Sequence, residues 1–225
     1  MNDNDETSVG PYSAEAFRQR AARGLATEPS DAVFDPRTGQ AWGRGDWDLN
    51  PELLADFAAM APARPAAVLV PVIAHREATV LLTQRPDAMR QHAGQISFPG
   101  GKVEPDDADA IAAALREAEE EIGLDRRFVE PLGFLDGYRT GTGFNIVPVV
   151  ALVQPGFELK LDPSEVADAF EVPLRFLMDE TNHQKHARPW KGRDRHYYAM
   201  PYGDRYIWGA TAGMIKNLHQ RLWSP

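Results

Sequence analysis

Arg116-Glu117-Ala118-Glu119-Glu120-Glu121-Ile122-Gly123-Leu124 packs four glutamates into five positions at the end of a helical pattern. Each residue of a helix advances by about 100°, so Glu117, Glu120 and Glu121 share one face and Glu119 points roughly the other way. Three ionised carboxylates on one face repel each other, and in the C-terminal half of a helix they also oppose the macrodipole. A chain selected only for stability rarely accepts both penalties. A hard divalent cation bound through carboxylate oxygens removes them. A solvated acidic face is the competing reading, and the preceding residues decide between the two.

Those residues run Phe98-Pro99-Gly100-Gly101-Lys102-Val103-Glu104-Pro105-Asp106-Asp107 and then Ala108 to Leu115. A strand ending in a Gly-Gly turn, a loop, and a helix opening at Asp106 or Asp107 are predicted, both aspartates being good N-caps. Ile111, Leu115, Ala118 and Ile122 form an apolar stripe at helical spacing, which predicts a helix lying on a sheet with its glutamates turned outward. Gly123 stands where a C-cap glycine ends a helix.

This strand–loop–helix resembles the Nudix box: Gly, five residues, Glu, seven residues, then Arg-Glu-apolar-any-Glu-Glu-any-Gly-apolar. From Arg116 to Leu124 the agreement is complete apart from the small Ala118 at the first apolar position. Upstream, the first acidic position falls on Asp107 rather than Glu, and eight residues separate it from Arg116, which leaves the role of Asp107 open. The preceding stretch from Leu81-Leu82-Thr83-Gln84-Arg85 through Arg90 and Gly94 to Phe98-Pro99-Gly100-Gly101 is similar to the signature of coenzyme A pyrophosphatases. Its one departure is Pro86, where a small Ser or Ala is usual.

Composition sets bounds on the class. The 225 residues, 43% hydrophobic, suffice for one sizeable core, or one domain and a tail. With 24 basic against 33 acidic residues the net charge is −9, which disfavours nonspecific contact with nucleic acid or an anionic membrane. The absence of cysteine excludes disulfides, thiol chemistry and zinc–thiolate sites, and fits a reducing cytoplasm. The start, MNDNDETSVG, has neither the basic nor the apolar region of a signal peptide. A cytoplasmic enzyme acting on a small molecule is the expectation, with a homodimer left open.

Residues 1–63 read as an N-terminal extension: a polar start over 1–12, a basic helix over Ala14–Leu25, an irregular Pro/Gly/Asp-rich stretch over Thr27–Asn50, and a helix from Pro51 to about Met60. Residues 64–225 read as the catalytic domain. Strands are predicted over Ala66–Ile73, Thr79–Thr83, Gln95–Phe98, Val129–Tyr138, Phe144–Val153 and Phe157–Leu161, then again over His196–Met200 and Tyr206–Trp208. A short helix over Pro173–Met178 and an amphipathic one over Ala210–Trp223 complete the pattern. Strands and helices interspersed without repeats fit an α/β protein, and the resemblance implies a Nudix-type α/β/α sandwich with a mixed β-sheet.

The resemblance implies hydrolysis of a phosphoanhydride with Mg²⁺ or Mn²⁺ as cofactor, the cations neutralising the diphosphate and lowering the pKa of a bound water. Glu117, Glu120 and Glu121 are the implied metal ligands, with the backbone carbonyl of Gly100. Arg116, four residues before Glu120, is placed to hold carboxylates through bidentate hydrogen bonds, or to form an ordinary ion pair. Glu165 occupies the place of the general base, against an N-cap role near Ser164 and against Glu171 as competitor. Arg85, Arg90, Lys102 and His92 are basic residues around the box that could clamp the phosphates of coenzyme A. Asn182-His183-Gln184-Lys185-His186 reads as a solvated loop rather than a metal site, and Trp208 as core rather than a base-stacking platform. The implied reaction splits coenzyme A or acyl-CoA into 3′,5′-ADP and 4′-phosphopantetheine or its acyl form. Two alternatives remain: a Nudix hydrolase of NADH, ADP-ribose or a diadenosine polyphosphate, and a silent Nudix module, which would be expected to have lost its box glutamates.

Overall fold

The structure is a computed structural model that describes residues 10–35, 40–54, 56, 62–88, 93–190 and 192–224. Its centre is a pair of ten-residue parallel strands, β4 (Arg64–Ile73) and β10 (Phe144–Val153), with Ala67 opposite Val147 and Ile73 opposite Val153. Both are almost continuously apolar and rich in valine, the mark of strands covered on both faces. Successive side chains alternate sides: Ala67, Leu69, Ile73, Val149, Ala151 and Val153 enter one core, Val68, Val70, Val72, Val150 and Leu152 the other.

Around that pair the sheet is mixed. Numbering the remaining strands in chain order, β1 (Val33–Asp35) and β2 (Gln40–Trp42) form an antiparallel pair of their own among the described residues. The main path runs β11 (Asp168–Pro173), β5 (Thr79–Gln84), β4, β10, β9 (Tyr138–Arg139), β3 (Arg44–Gly45). Beside it, β6 (Ile96–Ser97) pairs with β5, β7 (Gly100–Lys102) with β4, and β8 (Val129–Phe134) with β10. A separate antiparallel sheet holds β12 (Gln184–Trp190), β13 (Arg193–Tyr202) and β14 (Arg205–Trp208). Helices α1 (Ala14–Gly24) and α4 (Ala210–Leu222) contribute to one core, and α2 (Ala110–Ile122) to the other. The one-turn helix α3 (Leu174–Leu177) comes directly after β11. No helix among the described residues is long and apolar enough to cross a membrane.

Several expectations are corrected. Helix α2 opens at Asp109, whose side chain accepts from Ala112 N at 2.8 Å; Asp107 instead binds Arg116. Its buried face is Ala113, Ala114, Ala118 and Ile122, while Ile111 and Leu115 are only partly covered. Alanines let the helix axis approach the sheet closely. Phe157–Leu161 is a loop, because its backbone and that of Asp162 serve the end of α2: Lys160 N bonds Ile122 O at 2.8 Å and Asp162 N bonds Glu121 O at 2.9 Å. The His183–His186 stretch is not all loop, since β12 starts at Gln184. From Pro51 only a short 3₁₀ turn to Leu53 is described as an element, and the expected helical stretch 57–60 lies outside the described residues.

Described residues that precede β4 pack against the rest of the chain. Phe17 and Ala21 of α1 are buried beside Leu222 of α4, and β3 extends the sheet edge. Just after β3, the Asp46 carboxylate accepts from Gly141 N at 2.7 Å and Tyr138 Oη at 3.1 Å, and it pairs with Arg195 of β13. Three partners converge on a mostly buried carboxylate, so Asp46→Ala strands a buried phenol, a backbone N–H and a guanidinium. A loss of roughly 2–4 kcal/mol in urea-unfolding stability is expected. A change below about 1 kcal/mol would show that the three groups find water instead.

Candidate active site

The turn from β6 into β7 sets the floor of an open cleft of about 1110 Å³. Gly100 adopts φ 148°, and a Cβ there would collide with the backbone of Ala67 and Val68 in β4. Only glycine reaches that conformation without strain. A Cβ on Gly101 would instead meet the Glu117 carboxylate, which lies directly over it. One glycine lets two strands close; its neighbour leaves room for an acidic side chain.

Across this floor lies α2. Glu121, only 5% exposed, accepts from Gly100 N at 3.1 Å. Burial pushes its carboxyl up to about 7; Gly100 N opposes the rise, Glu117 and Glu165 add to it, and Arg85 opposes it. Burial also raises Glu117, with Arg116 opposing and the charges of Glu120 and Glu165 adding. Glu120 is different: its side chain is 61% exposed at the rim. The expected outward face is therefore graded, from buried Glu121 through half-buried Glu117 to exposed Glu120. Glu119, on the other side of the helix, pairs with Arg126 at 3.1 Å.

Arg116 ties the cluster together. It makes a bidentate pair with Asp107, Nε to Oδ1 at 3.0 Å and Nη2 to Oδ2 at 2.9 Å. Its Nη1 reaches Glu117 and Glu120, each at 3.0 Å, and Nη2 reaches Lys102 O at 3.1 Å. Asp107 also accepts from Glu104 N at 2.8 Å, and Arg116 holds its carboxyl below the usual range. The residue left without a role by the sequence is thus the anchor of the box arginine. Its displaced spacing was the available signal.

Glu165 lines the same cleft. It sits in the turn that caps α2, where Asp162 O accepts from Glu165 N at 3.0 Å and Asp162 Oδ1 holds Ser164 N at 2.8 Å. Asp162 closes that turn, and no helix begins there for Glu165 to cap. Glu171 is elsewhere, in β11, bonded to Thr79 and to His75, the latter at 3.0 Å. Arg85 and Lys102 also line the cleft. Arg90 and His92 lie outside the described residues. The far wall is lined by Arg188, Arg195, Tyr197 and Trp208; the sequence reading singled out only Trp208 of these, and read it as core, whereas it faces the cleft.

A sequence model of the NUDIX domain matches residues 63–192, more than half of the chain. The chain belongs to the Nudix family. A Yersinia pestis protein described as the uncharacterized Nudix hydrolase NudL is 40% identical over 159 residues, covering 71% of this chain and 80% of that one. Solved structures of similar fold include the NUDIX domain of Shewanella oneidensis NrtR complexed with ADP ribose, at 19% identity and TM-score 0.46. That likeness covers 77% of this chain and 98% of the other. A C. elegans Ap4A hydrolase binary complex shows 20% identity and TM-score 0.43, over 49% of this chain and 80% of that one.

Nudix hydrolases generally use divalent cations. Among the described residues no three His, Asp or Glu side chains converge into a ready-made ion cage: Glu117 and Glu120 rest on Arg116, and Glu121 on Gly100 N. The donor set nevertheless fits a hard cation, since it is all carboxylate, partly buried, and neutralised by few donors.

Gly100→Ala should cost roughly 2 kcal/mol or more of stability through its backbone clash and positive φ. Gly101→Ala should leave the melting temperature almost unchanged yet remove most activity by displacing Glu117. Activity assays and thermal melts of the two variants check this, and the reverse pattern would refute the assignment.

Glu121 gives a pH signature. Its carboxyl titrates near 7 folded against 4.5 ordinarily, so the folded state binds that proton more tightly. This contribution is present in full below about 4.5 and is lost as pH rises to about 7. In chelator, Glu121→Gln should therefore be more stable than the parent at about pH 8, by roughly 1–3 kcal/mol. The advantage should vanish below about pH 5, and Mg²⁺ should raise the melting temperature of the parent more than that of the variant. A pH-independent difference would contradict the buried-carboxyl account.

Proposed function

We propose that this Nudix hydrolase cleaves the diphosphate bond of coenzyme A and acyl-CoA, releasing 3′,5′-ADP and 4′-phosphopantetheine or its acyl form. What carries the reading is the Leu81–Gly101 signature, whose residues Arg85, Gln95, Ile96, Ser97, Phe98, Gly100 and Gly101 line the same cleft as the box glutamates Glu117 and Glu121. The Yersinia relative supports the hydrolase class.

Glu117, Glu120, Glu121 and the Gly100 carbonyl are the groups that would hold Mg²⁺ or Mn²⁺. Bound there, the cations would neutralise the diphosphate and make its phosphorus more electrophilic. Glu165 takes a proton from the attacking water as general base. Water adds at one phosphorus, the bridging P–O bond breaks, and two phosphomonoesters leave. Arg116 is a positioning residue: it touches Glu117 and Glu120 and is itself oriented by Asp107. Arg85 and Lys102 bring positive charge to the phosphates. Asp46, which precedes the catalytic domain in the chain, completes the far wall through its pair with Arg195.

Chromatography of the products formed from coenzyme A with Mg²⁺ tests this directly. Coenzyme A should exceed NADH, ADP-ribose and diadenosine polyphosphates in kcat/KM by roughly tenfold or more, within what differential contacts supply. Glu165→Gln should lower kcat by roughly 10²- to 10⁴-fold with little change in KM. Faster hydrolysis of NADH or ADP-ribose would overturn the substrate and leave the phosphoanhydride chemistry standing.

A further inference from the structure

The far wall of the cleft is built from charges that ought not to be neighbours. Arg188 of β12 and Arg195 of β13 are register partners, directly opposite across an antiparallel pair. Like charges in that relation are destabilising unless compensated. Arg195 is compensated, since Asp46 pairs with it and its guanidinium lies 5.3 Å from the Trp190 ring centroid. Arg188 has no carboxylate partner among the described residues. Its guanidinium lies over the indole of Trp208 at 4.9 Å, and Tyr197 meets the same indole edge-on at 5.3 Å. A net positive charge thus stands on an aromatic platform inside a protein of charge −9.

This platform is within reach of the box. Thr211, three residues past Trp208, donates to Ile96 O at 3.0 Å. Ile96 precedes Gly100 by four residues, so the chain between them spans at most about 14 Å. The platform and the carboxylates therefore line one cleft and are tied together through short stretches of chain.

We propose that Trp208, Tyr197 and Arg188 form the subsite for a purine base and a phosphate on its ribose. The base stacks on the aromatic and guanidinium faces, which suit any planar π-system. The Arg188 guanidinium, which no described carboxylate neutralises, pairs with the ribose phosphate through charge-assisted hydrogen bonds. This rests on the coenzyme A reading for the identity of the whole substrate, and it moves recognition of the extra phosphate away from Arg85 and Lys102.

Calorimetric titration separates the two claims, because it needs no turnover. Adenosine 3′,5′-bisphosphate and AMP are titrated in chelator into the full chain, Trp208→Leu and Arg188→Gln. Trp208→Leu should weaken both ligands by about tenfold. Arg188→Gln, at an exposed position where folding is safe, should weaken the bisphosphate by about tenfold and AMP far less. Unchanged bisphosphate affinity in Arg188→Gln, equal losses for both ligands in that variant, or no binding by the parent chain overturns the subsite. Intact bisphosphate binding in a parent chain that leaves coenzyme A uncleaved would overturn the substrate reading alone.

Discussion

A buried carboxylate facing one backbone N–H is the constraint around which this molecule is arranged. Glu121 lies almost out of solvent against Gly100, and its burial is the largest influence on its charge. Placing it there requires a strand turn with no side chain at Gly100, and a helix that approaches closely through Ala113, Ala114 and Ala118. It also requires that the end of α2 be covered, which residues 160–162 do with their backbone donors. The same covering turn carries Glu165 into the cleft. Helix docking, helix capping and the position of the second acidic element are therefore one structural solution rather than three.

Arg116 offsets part of this stored repulsion, but its geometry limits how much. The bidentate contact goes to Asp107, leaving a single nitrogen shared between Glu117 and Glu120. The arginine thereby orients the carboxylates, while the hydrogen bond held by Glu121 comes from Gly100 N. An acidic site that saturated its own charge internally would have little affinity left for an external cation.

Much of the fold could be read from periodicity. The runs Ala66–Ile73 and Phe144–Val153 became the paired central strands, Gly123 ended the box helix in the left-handed conformation, and Ala210 opened the last helix. Failures came where local chemistry was outcompeted. Asp107 could cap a helix, yet a guanidinium attracted it more strongly and Asp109 capped instead. Phe157–Leu161 alternates like a strand, yet a donor there was needed by a carbonyl of α2. For the candidate site, the shared helical face of the three glutamates was evident from spacing, but their graded burial was not. Spacing says which side chains are neighbours, not which of them a glycine turn will cover. The convergence at the far wall was hidden for a different reason: Arg188, Arg195 and Trp208 meet through strand register, and Asp46 reaches them from the other end of the chain.

That long reach has a consequence for how the molecule comes into being. The Asp46–Arg195 contact closes a span of 149 residues, whereas the Gly100–Glu121 contact closes only 21. Short closures form at small entropic cost and long ones wait for the chain between them to be ordered. During synthesis the acidic half of the cleft has its sequence available well before the aromatic half emerges. The carboxylate end is thus a local assembly and the aromatic end a global one. A destabilised or truncated chain would lose the aromatic wall before it lost the arrangement of its carboxylates.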